Sequence, residues 1–359
     1  MANKFHLTKA DIKKEILKSG RDPLYFINNY VKISHPTKGL IPFTLYPFQE
    51  EVVKDFRDNR YNIILKARQL GISTSIAAYI AWLMLFHRSK NVVVLATKLQ
   101  TAANLVKKVK LAMKSLPEWM TISKIIIDNR NSFKLDNESE VKAISTSGDA
   151  GRSEALSLLV IDEAAIIEGL DDLWAGLLPT LSTGGDCIIA STPKGVGNKF
   201  HQLYSEAEQG LNDFNSFVLP WSVHPERDQA WYEQETRKMS KREIAQELEC
   251  NFNMSGETLL CAEDMERVKK DIEEPIYKTG FDRGLWIWEA YDSSKKYFLS
   301  ADVARGDGQD NSTFLIFNSD NMECVAEYCG KLPIDMFAPL IYETSKEYGF
   351  CLAVVENNS

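Results

Sequence analysis

Apolar and polar positions alternate between two periods along the chain. Residues 62–65, "NIIL", form a short, mostly apolar run, the pattern of a strand buried on both faces. Residues 73–86 are apolar over a length that suits a buried helix. Residues 91–96, "NVVVLA", are β-branched and predict a second buried strand. Next, Leu99, Ala102, Ala103, Val106, Val109, Met113 and Leu116 fall at helical spacing, with Lys107, Lys108, Lys110 and Lys114 on the opposite face. Residues 156–161 and 187–190 are two more apolar strands. Strands of this kind alternating with helices predict a parallel sheet with helices on both faces. Ligands in such sheets gather at the carboxyl ends of the strands.

From about residue 226 the pattern changes. "RDQAWYEQETRKMSKREIAQELEC" and then "AEDMERVKKDIEEP" are strongly charged and predict a helix followed by a connector. After Lys296 it changes again. "YFLSADV", "STFLIF" and "MECVAEY" are three short strands in succession, "PIDMFAPLIYETSKEYG" is a helix ended by Gly349, and "CLAVVE" is a fourth strand. The expected division is therefore 1–225 for the N-terminal region and first α/β core, 226–290 for a helical linker, and 291–359 for a second α/β domain, incomplete at its C-terminus.

Bulk composition narrows the classes. The chain has 359 residues, 44% apolar and 26% charged, as in ordinary globular proteins. Its net charge of −8 provides no whole-protein basic field, so nucleic acid would need a local basic channel. The six cysteines form no CxxC pair and the five histidines make no metal-ligand spacing with them, so reduced thiols in a cytosolic protein are expected. "MANKFHLTKADIKKEILK" is too charged for a signal peptide. Residues 69–86 carry no charge but barely reach spanning length, so a buried helix is expected there instead of a membrane span.

The candidate chemistry starts at "KARQLGIST". A phosphate-binding loop of the form G-x-x-x-x-G-K-[ST] has Lys after its second Gly, and here that place is Ile72. Gly71 permits the tight turn. The backbone of Gln69, Gly71 and Ile72 precedes a helix whose dipole favours an anion. Ser73 stands where a hydroxyl holds Mg²⁺, and Thr74 is within reach of another phosphate oxygen. Lys66 and Arg68 are both candidates for the missing cation. By itself the stretch also fits an ordinary strand-to-helix turn.

"LSLLVIDEAA" strengthens the phosphate reading. A buried strand there delivers Asp162 to a Mg²⁺ shell and Glu163 to an attacking water. It lies about ninety residues beyond the loop, within the same expected sheet. Arg152, in "SGDAGRSEA", is placed to reach a γ-phosphate in its own subunit or a neighbour's, or to be a solvated loop residue. Ser191 and Thr192 end the strand "CIIASTPKG", where small hydroxyls can sense a γ-phosphate. Gln49, in "LYPFQEEVV", has an amide able to read an adenine edge.

Together these residues resemble the large terminase subunit of tailed bacteriophages, nearly end to end. "LYPFQ" is similar to that family's adenine motif, "KARQLGIST" to its variant loop, "GRSEALSLLVIDEAA" to its Arg and acidic strand, and "STPKG" to its coupling motif. "IAQELECNF" resembles the segment closing the ATPase region, and "ADVARGDGQDNST" and "VVENNS" resemble two nuclease motifs. Many members keep Lys after the second loop Gly. Others carry the basic residue at the loop's start, which matches Lys66.

The resemblance implies an α/β P-loop ATPase domain of the additional-strand, catalytic-glutamate type, followed by a partial ribonuclease-H-like nuclease domain. In a ribonuclease-H-like sheet the first and fourth strands are neighbours, so Asp302 and Glu356 would meet. Such paired carboxylates can hold Mg²⁺ or Mn²⁺. Asp307 and Asp310 lie in the nearby turn, and Asp310 matches the family motif. The implied ligands are ATP and Mg²⁺. The implied partners are double-stranded DNA, the phage portal protein, the small terminase subunit and further copies in a ring, with no membrane. The implied location is the host cytoplasm, transiently on the procapsid and not in the mature virion. Two other classes compete: a helicase-like ATPase that remodels nucleic acid, and a docking subunit that binds nucleotide without turnover.

Overall fold

The structure is a computed structural model and describes residues 8–146, 155–255, 272–304 and 311–356. It divides into two compact units, Met1–Ala262 and Glu263–Ser359. Arg152, Asp307 and Asp310 lie outside the described residues.

The first unit opens with α1 (Lys9–Arg21) and α2 (Pro23–Tyr30), each started by its own cap. Thr8 and Asp11 form a reciprocal capping box, and Asp22 caps α2 ahead of Pro23. A hairpin of β1 (Lys32–His35) and β2 (Gly39–Pro42) follows, then α3 (Pro47–Asp58) and β3 (Tyr61–Lys66). Next come α4 (Ile72–Phe86), β4 (Asn91–Leu95), α5 (Leu99–Lys114), β5 (Ile125–Asp128), β6 (Ser132–Leu135) and β7 (Glu140–Ile144). The unit continues with β8 (Leu158–Asp162), α6 (Leu170–Leu177), β9 (Asp186–Ser191), α7 (Lys199–Glu208), β10 (Asn215–Leu219), α8 (Gln229–Thr236), α9 (Lys241–Glu247) and α10 (Phe252–Ser255).

Eight strands form one sheet in the order β10-β3-β9-β8-β4-β7-β6-β5. The six from β10 to β7 are parallel, and their inner members are buried along nearly their whole length. The expected parallel sheet is extended at one edge by β6 and β5, which run antiparallel. The reason is connection length. Residues 129–131 and 136–139 are turns too short to carry a crossover, so these strands can only reverse. Helix α4 is uncharged and almost wholly buried, as its composition requires. Among the described residues no helix is long and apolar enough to cross a membrane, and five cysteines are free thiols.

The linker expected over 226–290 is not one element. Its first part returns to the first unit: Trp221 N–H donates to Leu248 O (2.9 Å), and Cys250 is buried in that core. The capping box of Ser240 and Glu243 starts α9, a local signal hidden within the charged run. Its last part is β11 (Tyr277–Thr279) and β12 (Leu285–Ile287), which belong to the second sheet.

The second unit adds β13 (Tyr297–Asp302), β14 (Ser312–Asn318), β15 (Cys324–Gly330), α11 (Ile334–Glu347) and β16 (Leu352–Val355). Its sheet order is β11-β12-β15-β14-β13-β16. The four expected strands therefore stand third-second-first-fourth, the ribonuclease-H-like order. Only β16 pairs in parallel, against β13, because α11 provides the crossover. Leu299, Phe314, Ile316, Tyr328 and Phe337 fill the core between sheet and helix.

Candidate functional site

Three adjacent strands bring the first set of candidates together. In the order β3-β9-β8, Leu65 is level with Ser191 and Asp162 with Ala190. Lys66, Ser191, Thr192, Asp162 and Glu163 therefore share one carboxyl edge, where such sheets hold ligands. The strand β9 between β3 and β8 is the additional strand of the expected class.

After β3 the chain turns through Gln69 and Gly71, both at positive φ (58° and 74°), and α4 begins at Ile72. The N–H groups of Ile72 and Ser73 lie in the first turn, where intrahelical acceptors do not exist. Ser73 Oγ donates to Asp162 Oδ2 at 2.8 Å, joining the loop to the acidic strand. Asp162 is 6% exposed and its other oxygen accepts from the Glu163 N–H (3.1 Å). Glu163 sits at φ 60°, an uncommon conformation for a residue with a side chain. That turn carries its carboxylate to 3.8 Å from Lys66 Nζ. Burial raises the Glu163 carboxyl above its ordinary value of 4.5; the Lys66 ammonium opposes that shift and the Asp162 charge adds to it.

The two candidate cations separate clearly. Lys66 is 6% exposed and aims along the strand edge at Glu163. Arg68 has a side chain 69% exposed and lies 3.5 Å from Glu247 Oε2 of α9. Its own N–H donates to Glu247 O at 2.8 Å. Ile72, in the place of the usual loop lysine, is 1% exposed and packs in the core.

Gln49 also has a defined place. Its Nε2 donates to Leu70 O (2.8 Å), and its Oε1 accepts from the Tyr46 N–H (3.0 Å). Both ends of the amide thus hold backbone, and reading an adenine edge would require exchanging those partners. Ser191 Oγ accepts from the Ala165 N–H (3.0 Å), tying the end of β9 to the turn after the acidic strand. Thr192 beside it is buried. Thr74 Oγ1 accepts from Lys108 Nζ of α5 at 3.2 Å.

Three residues near the loop escaped the sequence reading. Arg227 donates to Arg68 O (3.3 Å) and Gln69 O (3.0 Å), clasping the turn that positive φ creates. Glu247 holds Arg68 from α9. Lys108 sits on a lysine-rich helix face that reads as solvated. For Lys108 the only sequence signal was the absence of a loop lysine at Ile72.

In the second unit Ala301 is level with Val355, and Glu356 N–H donates to Ala301 O (2.9 Å). Asp302 and Glu356 thus end adjacent parallel strands and line one open depression of about 410 Å³. Both are exposed. Two carboxylates on neighbouring strand ends suit a hard divalent cation, as do the Ser73 hydroxyl and Asp162 carboxylate in the first unit. Among the described residues no cluster of three or more His, Cys, Asp or Glu is preassembled.

Strand order, loop and acidic strand define the additional-strand, catalytic-glutamate class of P-loop ATPase folds. The family described as "Terminase large subunit, T4likevirus-type, N-terminal" matches residues 63–267, and the chain belongs to that terminase large-subunit family. The probable terminase large subunit gp28 of Escherichia phage Mu is 30% identical over 109 residues. That match covers 25% of this chain and 19% of that protein, so the chain spans about a fifth of this relative. The large terminase of bacteriophage HK97 shares the fold at 15% identity, over 94% of this chain and 74% of that one, with TM-score 0.52. The large terminase ATPase domain of Thermus phage P74-26 is 23% identical, over 54% of this chain and 89% of that one, with TM-score 0.46.

Proposed function

We propose that this chain hydrolyses ATP to drive double-stranded viral DNA into a procapsid, and that its second unit cuts concatemeric DNA. The observation that carries the ATPase reading is the Ser73–Asp162 hydrogen bond beside the Lys66–Glu163 pair. Family membership supports the packaging role.

Ser73 and Asp162 hold Mg²⁺, which when bound draws charge off the phosphates. The loop backbone from Gln69 to Ser73 and the Thr74 hydroxyl receive phosphate oxygens. Lys66, buried at the loop's base, is the phosphate-contacting cation; Arg68 is turned toward α9 instead. Glu163 takes the proton from the attacking water. Burial raises its pKa, which makes it a stronger base than a free carboxylate, and the Lys66 ammonium opposes that shift. Ser191 relays the state of the γ-phosphate from β9 to the turn at Ala165. Gln49 acts near the base by fixing the loop. Arg152 adds charge across a subunit contact in a ring.

In the second unit Asp302 and Glu356, with Asp310, hold Mg²⁺ or Mn²⁺ for phosphodiester cleavage. The portal protein, the small terminase subunit and the procapsid are the working partners, in the host cytoplasm. The helicase-like reading leaves the paired Asp302 and Glu356 without a role.

The deciding experiment is Glu163→Gln. It lowers ATP turnover by about a hundred- to ten-thousand-fold while nucleotide still binds. Wild-type turnover in that variant overturns the assignment.

A further inference from the structure

The loop lacks its usual lysine, and the cations already placed around it have partners of their own. Asp162 and Glu163 are two carboxylates at the strand edge, and Lys66 is a single ammonium already 3.8 Å from one of them. Arg68 is engaged by Glu247. Arg227 donates to the carbonyls of Arg68 and Gln69, so no cation counted here is without a partner among the described residues.

Lys108 changes that count. From the third turn of α5 its side chain crosses to α4, and Nζ donates to Thr74 Oγ1 at 3.2 Å. Thr74 directly follows Ser73 in the first turn of α4. No carboxylate lies within ion-pair distance of Lys108 among the described residues. Its neighbours Lys110 and Lys114 do have such a partner, Asp128. An ammonium has three donors, and one neutral hydroxyl uses one of them. Burial lowers its pKa, the Asp162 charge opposes that shift, and the Lys66 charge adds to it. Lys108 therefore shares the electrostatic surroundings of the Ser73–Asp162 site. The Lys108 side chain as a whole stays exposed, and its ammonium, with one hydroxyl for a partner, has two donors left for a phosphate oxygen beside Thr74.

We infer that Lys108 is a phosphate-contacting residue of the nucleotide site, supplying from α5 the charge that Ile72 cannot. The inference rests on the ATP-binding reading given above. Thr74 acts as the guide that holds the ammonium in place until nucleotide arrives.

The test compares wild type with Lys108→Gln and Lys108→Arg. Lys108→Gln keeps a polar side chain but removes the charge, whereas Lys108→Arg keeps the charge. ADP and ATP binding are measured by calorimetry with Mg²⁺ at two salt concentrations, alongside steady-state turnover. Lys108→Gln raises Kd and KM for ATP by about tenfold or more, leaves kcat within a few-fold, and flattens the salt dependence of binding. Lys108→Arg recovers most of the affinity. Circular dichroism and the unfolding midpoint check that each variant is folded, and a Lys108→Gln variant that fails to fold is replaced by Lys108→Met. Nucleotide affinity within twofold of wild type in the folded charge-removed variant overturns the role of Lys108 and leaves the ATPase reading intact. Wild-type protein that binds no nucleotide overturns both.

Discussion

Gly71→Ala tests whether Gln49 supports the loop. Gly71 has φ 74°, where a Cβ costs about 1–2 kcal/mol. That Cβ would also lie 2.6 Å from Gln49 Nε2. A free glutamine would swing aside at little cost. This one is buried and holds Leu70 O at one end and the Tyr46 N–H at the other. Moving it strands a buried carbonyl, worth about 1–3 kcal/mol. The substitution therefore destabilises the first unit by about 2–5 kcal/mol. At about 2–4 °C per kcal/mol for a unit of this size, the melting midpoint falls by several degrees or more. The assay is urea and thermal unfolding of Gly71→Ala, Gln49→Ala and the double variant. In the Gln49→Ala background the amide bond is already gone, so Gly71→Ala costs only the backbone part there. The coupling is then about 1–3 kcal/mol. Equal costs of Gly71→Ala in both backgrounds would refute the bridging role of Gln49.

Other outcomes follow from the same geometry. Lys66→Ala raises the Kd for MgATP by about tenfold or more, and Arg68→Ala raises it much less; the reverse order in a binding titration contradicts the assignment of the cation. Glu163 must lose its proton to act, so turnover at saturating ATP rises with pH through a midpoint above 4.5. Lys66→Met removes the charge that lowers this midpoint and moves the acid limb to higher pH; a move to lower pH refutes the pairing. In stability the sign is opposite: a raised carboxyl binds its proton more tightly when folded, so its contribution is complete below the unfolded value and is lost as pH rises through the folded one. Asp302→Asn and Glu356→Gln each abolish Mn²⁺ binding to the second unit by calorimetry, and Mn²⁺ affinity unchanged in both variants removes the proposed metal site.

Much of the fold was legible because each core strand is buried along its length. Residues 62–65 and 91–96 needed no tertiary information to read as strands, since only a central position tolerates such runs. The antiparallel edge was harder: β5 and β6 have four residues each, too few to establish a period, and β5 is exposed along its length. The pair β11 and β12 was hidden in a charged stretch because three-residue strands are too short to establish a period.

The site divides in the same way. The sequence by itself determined which chemical groups are present: a glycine turn before a buried helix, a hydroxyl at its start, an acidic pair ending an apolar strand, and carboxylates ending two strands of a second domain. Local pattern is enough for these, because burial and turn geometry act over a few residues. Only the tertiary structure decided which groups meet. It put β9 between β3 and β8, turned Lys66 toward Glu163 and Arg68 toward Glu247, used both ends of the Gln49 amide on backbone, and brought Lys108 to Thr74 across 34 positions. The physical reason is that ion pairs and hydrogen bonds act over a few ångströms in space. Their partners here are far apart along the chain, and no local period records them.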